Sequence, residues 1–213
     1  MSEPTSTQAE RTPETDETVP NLYRFLSGVL ADPPCEKAVR EFQAGLVPQP
    51  RELPTEQLQR GFHTIGAWAS KIEDVEATAT ALKREHTRLF VGPRPRLQVH
   101  ESYYAGDYLG TPLVELKRTY AKLGIQPGED HKEEADHAAV ELAALAWLSE
   151  TATDRRGPKR TFLREHGAWF TSLAEDIRRE AESPFYRGIG DILAGLVRYD
   201  RDRLDIDLEP PVD

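Results

Sequence analysis

Cysteine is nearly missing from this 213-residue chain, and the lone Cys35 excludes an internal disulfide and any thiolate cage for zinc or an iron–sulfur cluster. Such usage fits a reducing compartment. Long hydrophobic runs are also absent, so no segment qualifies as a membrane-spanning helix. The first residues offer neither a positively charged n-region nor an apolar h-region, and the expectation is a cytoplasmic protein without membrane insertion. Positive charge is in deficit: 27 Lys+Arg stand against 37 Asp+Glu, a net charge of -10. That excludes the cationic surface needed by nucleic acid or an anionic membrane and leaves basic or apolar partners open. The chain has no G-x-S-x-G elbow, no Walker A loop and no G-x-G-x-x-G.

What is present is helical punctuation. Residues 1–17 (MSEPTSTQAERTPETDE) carry no large apolar side chain to offset the entropy of ordering, which predicts a disordered tail. Leu22, Leu26, Val29 and Leu30 form a helical stripe ending at Asp32-Pro33-Pro34. A weaker segment covers about 35–46. Thr55 is a candidate N-cap for a helix bearing Leu58, Phe62, Ile65, Ala69 and Ile72; Val75, Ala79, Leu82, His86, Leu89 and Phe90 make the next stripe, closed by Gly92-Pro93. Residues 91–109 show neither period, and a loop of that length in a compact domain is usually functional. Thr111-Pro112 opens a short helix ended by Gly124.

After a connector over 125–132, Asp130 and Glu133 resemble a capping box for a long central helix running to about Thr153. Gly157-Pro158 predicts a break. Phe162, His166, Trp169, Leu173 and Ile177 read as one helix, and Ser183-Pro184 opens the last, with Phe185, Ile189, Ile192, Leu196 and Tyr199 inward. No window alternates as a strand does. The expected fold is all-α, a single bundle of about seven or eight helices over residues 18–204, with a hinge near 125–132 and an acidic tail over 205–213.

The chemistry gathers at Glu134-Ala135-Asp136-His137, where an imidazole between carboxylates opens a helix. Three uses suit it. Glu134 and His137 have the E-x-x-H spacing that meets a metal from one helix face, and with Glu141 they define an all-α metalloenzyme alternative; di-iron bundles, however, need a second copy that this chain lacks. Negative charge in a first helical turn is also ordinary capping chemistry. The third use is donation to a bound backbone. Ser102, between Glu101 and Tyr103, is an imaginable nucleophile with no identifiable base or oxyanion hole.

Four stretches together resemble the redox-enzyme maturation chaperones, the TorD/DmsD/NarJ family, and its TorD/DmsD-like branch in particular. Glu134-Ala135-Asp136-His137, followed by Glu141-Leu142, is similar to the E-P-x-D-H hinge signature, without its proline. Arg88-Leu89-Phe90-Val91-Gly92-Pro93 resembles the Y-x-x-L-F segment, with His86 where an aromatic is usual. His100-Glu101-Ser102-Tyr103-Tyr104 resembles the P-x-E-S-x-Y loop. Phe162 to His166 with Trp169, followed by Pro184-Phe185-Tyr186, resembles the family's F-x-x-x-H helix and its tryptophan.

The resemblance implies a non-catalytic, all-helical cytoplasmic chaperone. It would bind the N-terminal signal peptide, of twin-arginine type, and the apo form of a molybdopterin-containing oxidoreductase of the dimethyl sulfoxide reductase class, delaying export until cofactor insertion. It implies no cofactor of its own beyond weak guanine nucleotide binding, and either a monomer or a domain-swapped homodimer. The peptide-contact residues expected on this reading are Glu134, Asp136, His137, Glu141, Glu101 and Ser102, with Leu89, Phe90, Tyr103, Tyr104 and Tyr108 as an apolar wall. Asp136 is expected to fix the His137 tautomer and Glu134 to meet a basic side chain. Glu101, Asp107, Glu129, Asp130, Glu133, Glu134 and Asp136 fall in or beside the irregular segments, where carboxylates suit arginine. A regulatory helical scaffold that binds a folded partner is the remaining alternative.

Overall fold

A computed structural model describes residues 17–46, 53–92, 94–126, 133–150 and 156–206. It is all-α, and no strand occurs among the described residues. The helices are α1 (Thr18–Ala31), α2 (Glu36–Gln43), α3 (Glu56–Ala69), α4 (Val75–Phe90), α5 (Glu101–Tyr104), α6 (Thr111–Leu123), α7 (Ala138–Glu150), α8 (Arg156–His166), α9 (Trp169–Glu180) and α10 (Pro184–Arg203). Among the described residues ten helices replace the expected seven or eight, for two local reasons. The long loop contains the one-turn α5. The stripe from Phe162 to Ile177 divides at Gly167, whose added Cβ would lie 2.5 Å from the Leu163 carbonyl oxygen; the chain turns a corner there between α8 and α9.

The caps explain most boundaries. The Thr55 side chain accepts from the Leu58 amide, Asp74 from Ala77 and Ser183 from Tyr186, each satisfying an orphan donor at a helix start. Gly124 ends α6 with φ of 69°, a left-handed C-cap. Gly157-Pro158 does not break the chain: both lie in the first turn of α8, where proline lacks only a donor that would have no helical partner. Thr111 is inside α6 rather than its cap, and the Asp107 carboxylate accepts from the Thr111 amide instead.

The central helix was expected to open at Asp130, yet α7 begins at Ala138. The preceding residues are committed elsewhere. Glu101 donates its amide to the Asp136 carbonyl (3.0 Å) and Ala138 donates to that of Val99 (2.8 Å), so His100 and His137 form an isolated antiparallel bridge. Asp130 and Thr153, the expected limits of that helix, lie outside the described residues, as do 127–132 of the hinge connector, 1–16 of the N-terminal tail and 207–213 of the C-terminal tail.

α7 is buried on nearly every side and packs along α1, where the Ser27 hydroxyl donates to the Ala139 carbonyl at 2.7 Å. The second spine is α10, which packs on α3 and α9. Gly61 and Gly188 let the α3 and α10 backbones approach: a Cβ on Gly61 would sit 2.9 Å from the Gly188 carbonyl oxygen, and one on Gly188 2.9 Å from that of Gly61. Lys159 of α8 pairs with Asp200 of α10 in a buried clasp, and Tyr23 of α1 donates to the same carboxylate at 2.7 Å.

Candidate functional site: a buried carboxylate seam

The bridge joins the 97–110 segment to the start of α7, and its side chains interlock as well. Asp136, fully buried, accepts from the Ser102 hydroxyl and from the Ser102 amide at 3.3 Å, while the Ser102 oxygen accepts from the Leu109 amide at 2.9 Å. One carboxylate thereby sets the path of the whole loop. Leu109 is held at φ of 56°, a strained conformation for a side chain of this kind, and it is 45% exposed.

His137 has a different task from the one expected. Its Nδ1 accepts from the Ala139 amide at 3.1 Å, so the ring nitrogen caps α7 as an Asp or Ser oxygen would. An accepting Nδ1 places the proton of the neutral ring on Nε2, which lies 3.9 Å from a Glu133 carboxylate oxygen. The backbone of α7 therefore selects the tautomer; Asp136 points to Ser102 instead. Glu134 is exposed and lies 3.8 Å from Lys117 of α6.

Glu141 turns inward from α7, fully buried, and accepts from the Trp169 indole at 3.2 Å. Glu101 meets His166, whose Nδ1 lies 2.9 Å from Oε1 and whose Nε2 lies 3.0 Å from the Thr119 hydroxyl. This carboxylate, imidazole and hydroxyl sequence is buried, with Thr119 at 5% exposure, and presents no open face to a substrate. Burial pushes the Glu141 carboxyl well above the usual carboxylate range, and the nearby Glu101 and Asp136 push it further. Glu101 is raised for the same first reason, against the opposing pull of His166. Asp136 Oδ1 and Glu141 Oε1 are buried without a hydrogen-bond partner.

The metal premise fails on placement. Glu134 and His137 precede α7 and do not share a helix face with Glu141, and no group of three or more His, Cys, Asp or Glu able to hold a metal ion occurs among the described residues. Two expected wall residues also stand elsewhere. Leu89 is fully buried, and Phe90, 7% exposed, packs its ring on His86 and Tyr186. His86 fills the family's aromatic position as a ring, 5.1 Å from Phe90.

Tyr103, Tyr108 and Leu109 of the 97–110 segment and Val114 of α6 form an exposed apolar surface, each 45 to 53% exposed. From it two ring series lead inward: Tyr108 to His100 to His137, and Tyr103 to Tyr104 to Trp169 to Phe170. Tyr104 also donates to Asp176 of α9 at 2.9 Å. Beside the seam, a cavity of about 400 Å³ opens between the end of α6 and Ala135, lined by Tyr120, Ala121, Gly124 and Ile125 among others.

Sequence reasoning assigned no site role to His166, Trp169, Thr119, Leu109 or Val114. For His166 and Trp169 the signal was available, since the α8–α9 corner that Gly167 creates is written between them.

Residues 31–175 match the family described as nitrate reductase delta subunit, and they include every residue of the seam. The chain belongs to that family. It is the TorD/NarJ family to which the four motifs pointed. The family chain is also similar to the Chaperone protein TorD of Vibrio parahaemolyticus serotype O3:K6 (strain RIMD 2210633), 26% identical over 114 residues, covering 46% of this chain and 53% of that protein. The chain thus matches about half the length of this curated relative.

Proposed function

We propose that this protein is a maturation chaperone that holds the N-terminal leader of a molybdenum oxidoreductase at the seam between the 97–110 segment and the start of α7. In this reading it acts in the cytoplasm, makes and breaks no bond and carries no cofactor of its own. The observation that carries the reading is that the 97–110 segment and the start of α6 carry exposed apolar and acidic groups together. Tyr103, Tyr108, Leu109 and Val114 offer an apolar face, and the exposed Asp107, Glu115 and Glu133 lie on the same or adjoining segments. A twin-arginine leader has the complementary makeup, a basic stretch followed by an apolar one. Its arginines suit carboxylates bidentately, and the net charge of -10 speeds encounter. Family membership and the TorD relative support the same assignment.

The contact surface differs from the one expected from sequence. Asp136, Glu141, Glu101 and Ser102 build the seam from inside, and Leu89 and Phe90 belong to the core, so the solvent-facing tyrosines become the first contacts. The test is a titration of a fluorescent leader peptide followed by anisotropy. Tyr103→Ser with Tyr108→Ser is expected to weaken binding at least about tenfold, since two half-exposed aromatics contribute on the order of 1–2 kcal/mol each when buried by a ligand. Unchanged affinity in the folded double variant removes the seam from the proposal. Client lacking its leader is expected not to bind; equal binding favours the scaffold alternative.

A further inference from the structure

Glu101, Asp136 and Glu141 place three carboxyls in one buried cluster, and among the described residues no lysine or arginine bonds or pairs with any of them. The surroundings come from five helices. α6 contributes Tyr120, the Thr119 hydroxyl and Glu115; α8 contributes His166 and Glu165; α9 contributes the Trp169 indole. α5 adds Tyr104, whose hydroxyl faces away to Asp176 and its partner Arg179. α1 packs on α7, and its Ser27 hydroxyl bonds the α7 backbone. His137 faces Glu133, meets the His100 ring edge to face and caps α7. His166 bonds Glu101, whereas Asp136 and Glu141 each keep one buried oxygen that has no donor. A proton on the Glu141 carboxyl removes one charge and turns its orphaned oxygen into a donor.

We propose that closure of the 97–110 segment onto α7 is proton-linked: the closed seam holds a proton that the open seam releases, so rising pH loosens the loop that bears the peptide face. The mechanical link is Asp136, which belongs to the cluster and also fixes Ser102 and, through Ser102, Leu109. The sign follows from the raised carboxyls. Glu101 and Glu141 bind protons more tightly in the closed state than in water, so their support for closure is complete below the ordinary carboxylate value of 4.5. It is lost as the pH climbs from there through their closed-state values. Opening would uncover Asp136 and Glu141 to a basic leader, whose guanidinium can replace the proton as counter-charge. That consequence rests on the function proposed above; the latch itself does not.

Amide hydrogen exchange without peptide tests it. Exchange at Glu101, Ser102, Leu109 and Ala138 is corrected for intrinsic rates and compared with α10 between about pH 5 and 9. Loop protection in the wild type is expected to fall by up to about tenfold per pH unit within the window, the limit for one linked proton. Glu141→Gln, whose amide oxygen can still accept from Trp169, is expected to flatten that dependence and retain protection at high pH. A flat wild-type profile, or equal slopes in the two proteins, overturns the proposal. Should Glu141→Gln fail to fold, Asp136→Asn and a carbon-13 titration of the wild-type carboxyls decide: an ordinary value for every carboxyl of the cluster also overturns it. Peptide enters none of these measurements, so failure of leader binding would count against the proposed function alone.

Discussion

Asp136→Ala is the sharpest perturbation of the loop, because one carboxylate oxygen accepts both the amide and the hydroxyl of Ser102 in a site without solvent. Removing it leaves two buried donors, and an unsatisfied donor costs about 1–3 kcal/mol. The Ser102 hydroxyl can rotate, and losing one of three crowded carboxyls returns some free energy, so the net cost is expected near 2 kcal/mol. For a protein of this size that is a fall of about 4–8 °C in Tm. Asp136→Asn keeps an acceptor of the same shape and sheds the charge, and is expected to cost less than about 0.5 kcal/mol at neutral pH. Urea unfolding of the three proteins side by side, with hydrogen exchange at Leu109 as the local readout, measures both. If Asp136→Ala unfolds at the wild-type midpoint, or Asp136→Asn is as damaging as alanine, the carboxylate does not hold the loop in the manner described.

Two further substitutions probe the frame that presents the seam. Gly61→Ala pushes a Cβ against Ile192 Cγ1 at 2.6 Å and the Gly188 carbonyl at 2.9 Å, and is expected to cost about 1–3 kcal/mol by thermal denaturation; a neutral result would mean that α3 and α10 separate freely. Asp200→Ala leaves the buried Lys159 ammonium and the Tyr23 hydroxyl without their shared acceptor and is expected to cost about 3–5 kcal/mol, with a smaller loss for Lys159→Met. A neutral result for Asp200→Ala would show that this clasp does not contribute to stability.

The helices were legible because their signals are local. Thr55, Asp74, Ser183 and Gly124 carry caps within three residues of the groups they satisfy, and the stripes of α1, α3, α4 and α10 repeat at the spacing that one buried face requires. The family motifs were legible for the same reason. The site was legible as a list of residues and not as an arrangement. Glu134 and Asp136 are two positions apart and alike in chemistry, yet one is exposed beside Lys117 and the other fully buried on Ser102. His137 looked like a ligand or a contact residue and caps a helix.

The sequence by itself determined the all-α class, most helix boundaries, the acidic net charge and the family, since each depends on composition or on neighbours a few residues apart. Only the tertiary structure decided where α7 starts, which carboxylates face inward, and that Leu89 and Phe90 belong to the core while Tyr103 and Tyr108 meet solvent. Those outcomes depend on pairing across 34 residues, from Ser102 to Asp136, and across 65, from Glu101 to His166. Whether a carboxyl ends as a solvated anion or a buried proton acceptor is set by what folds over it, and no local pattern encodes that cover.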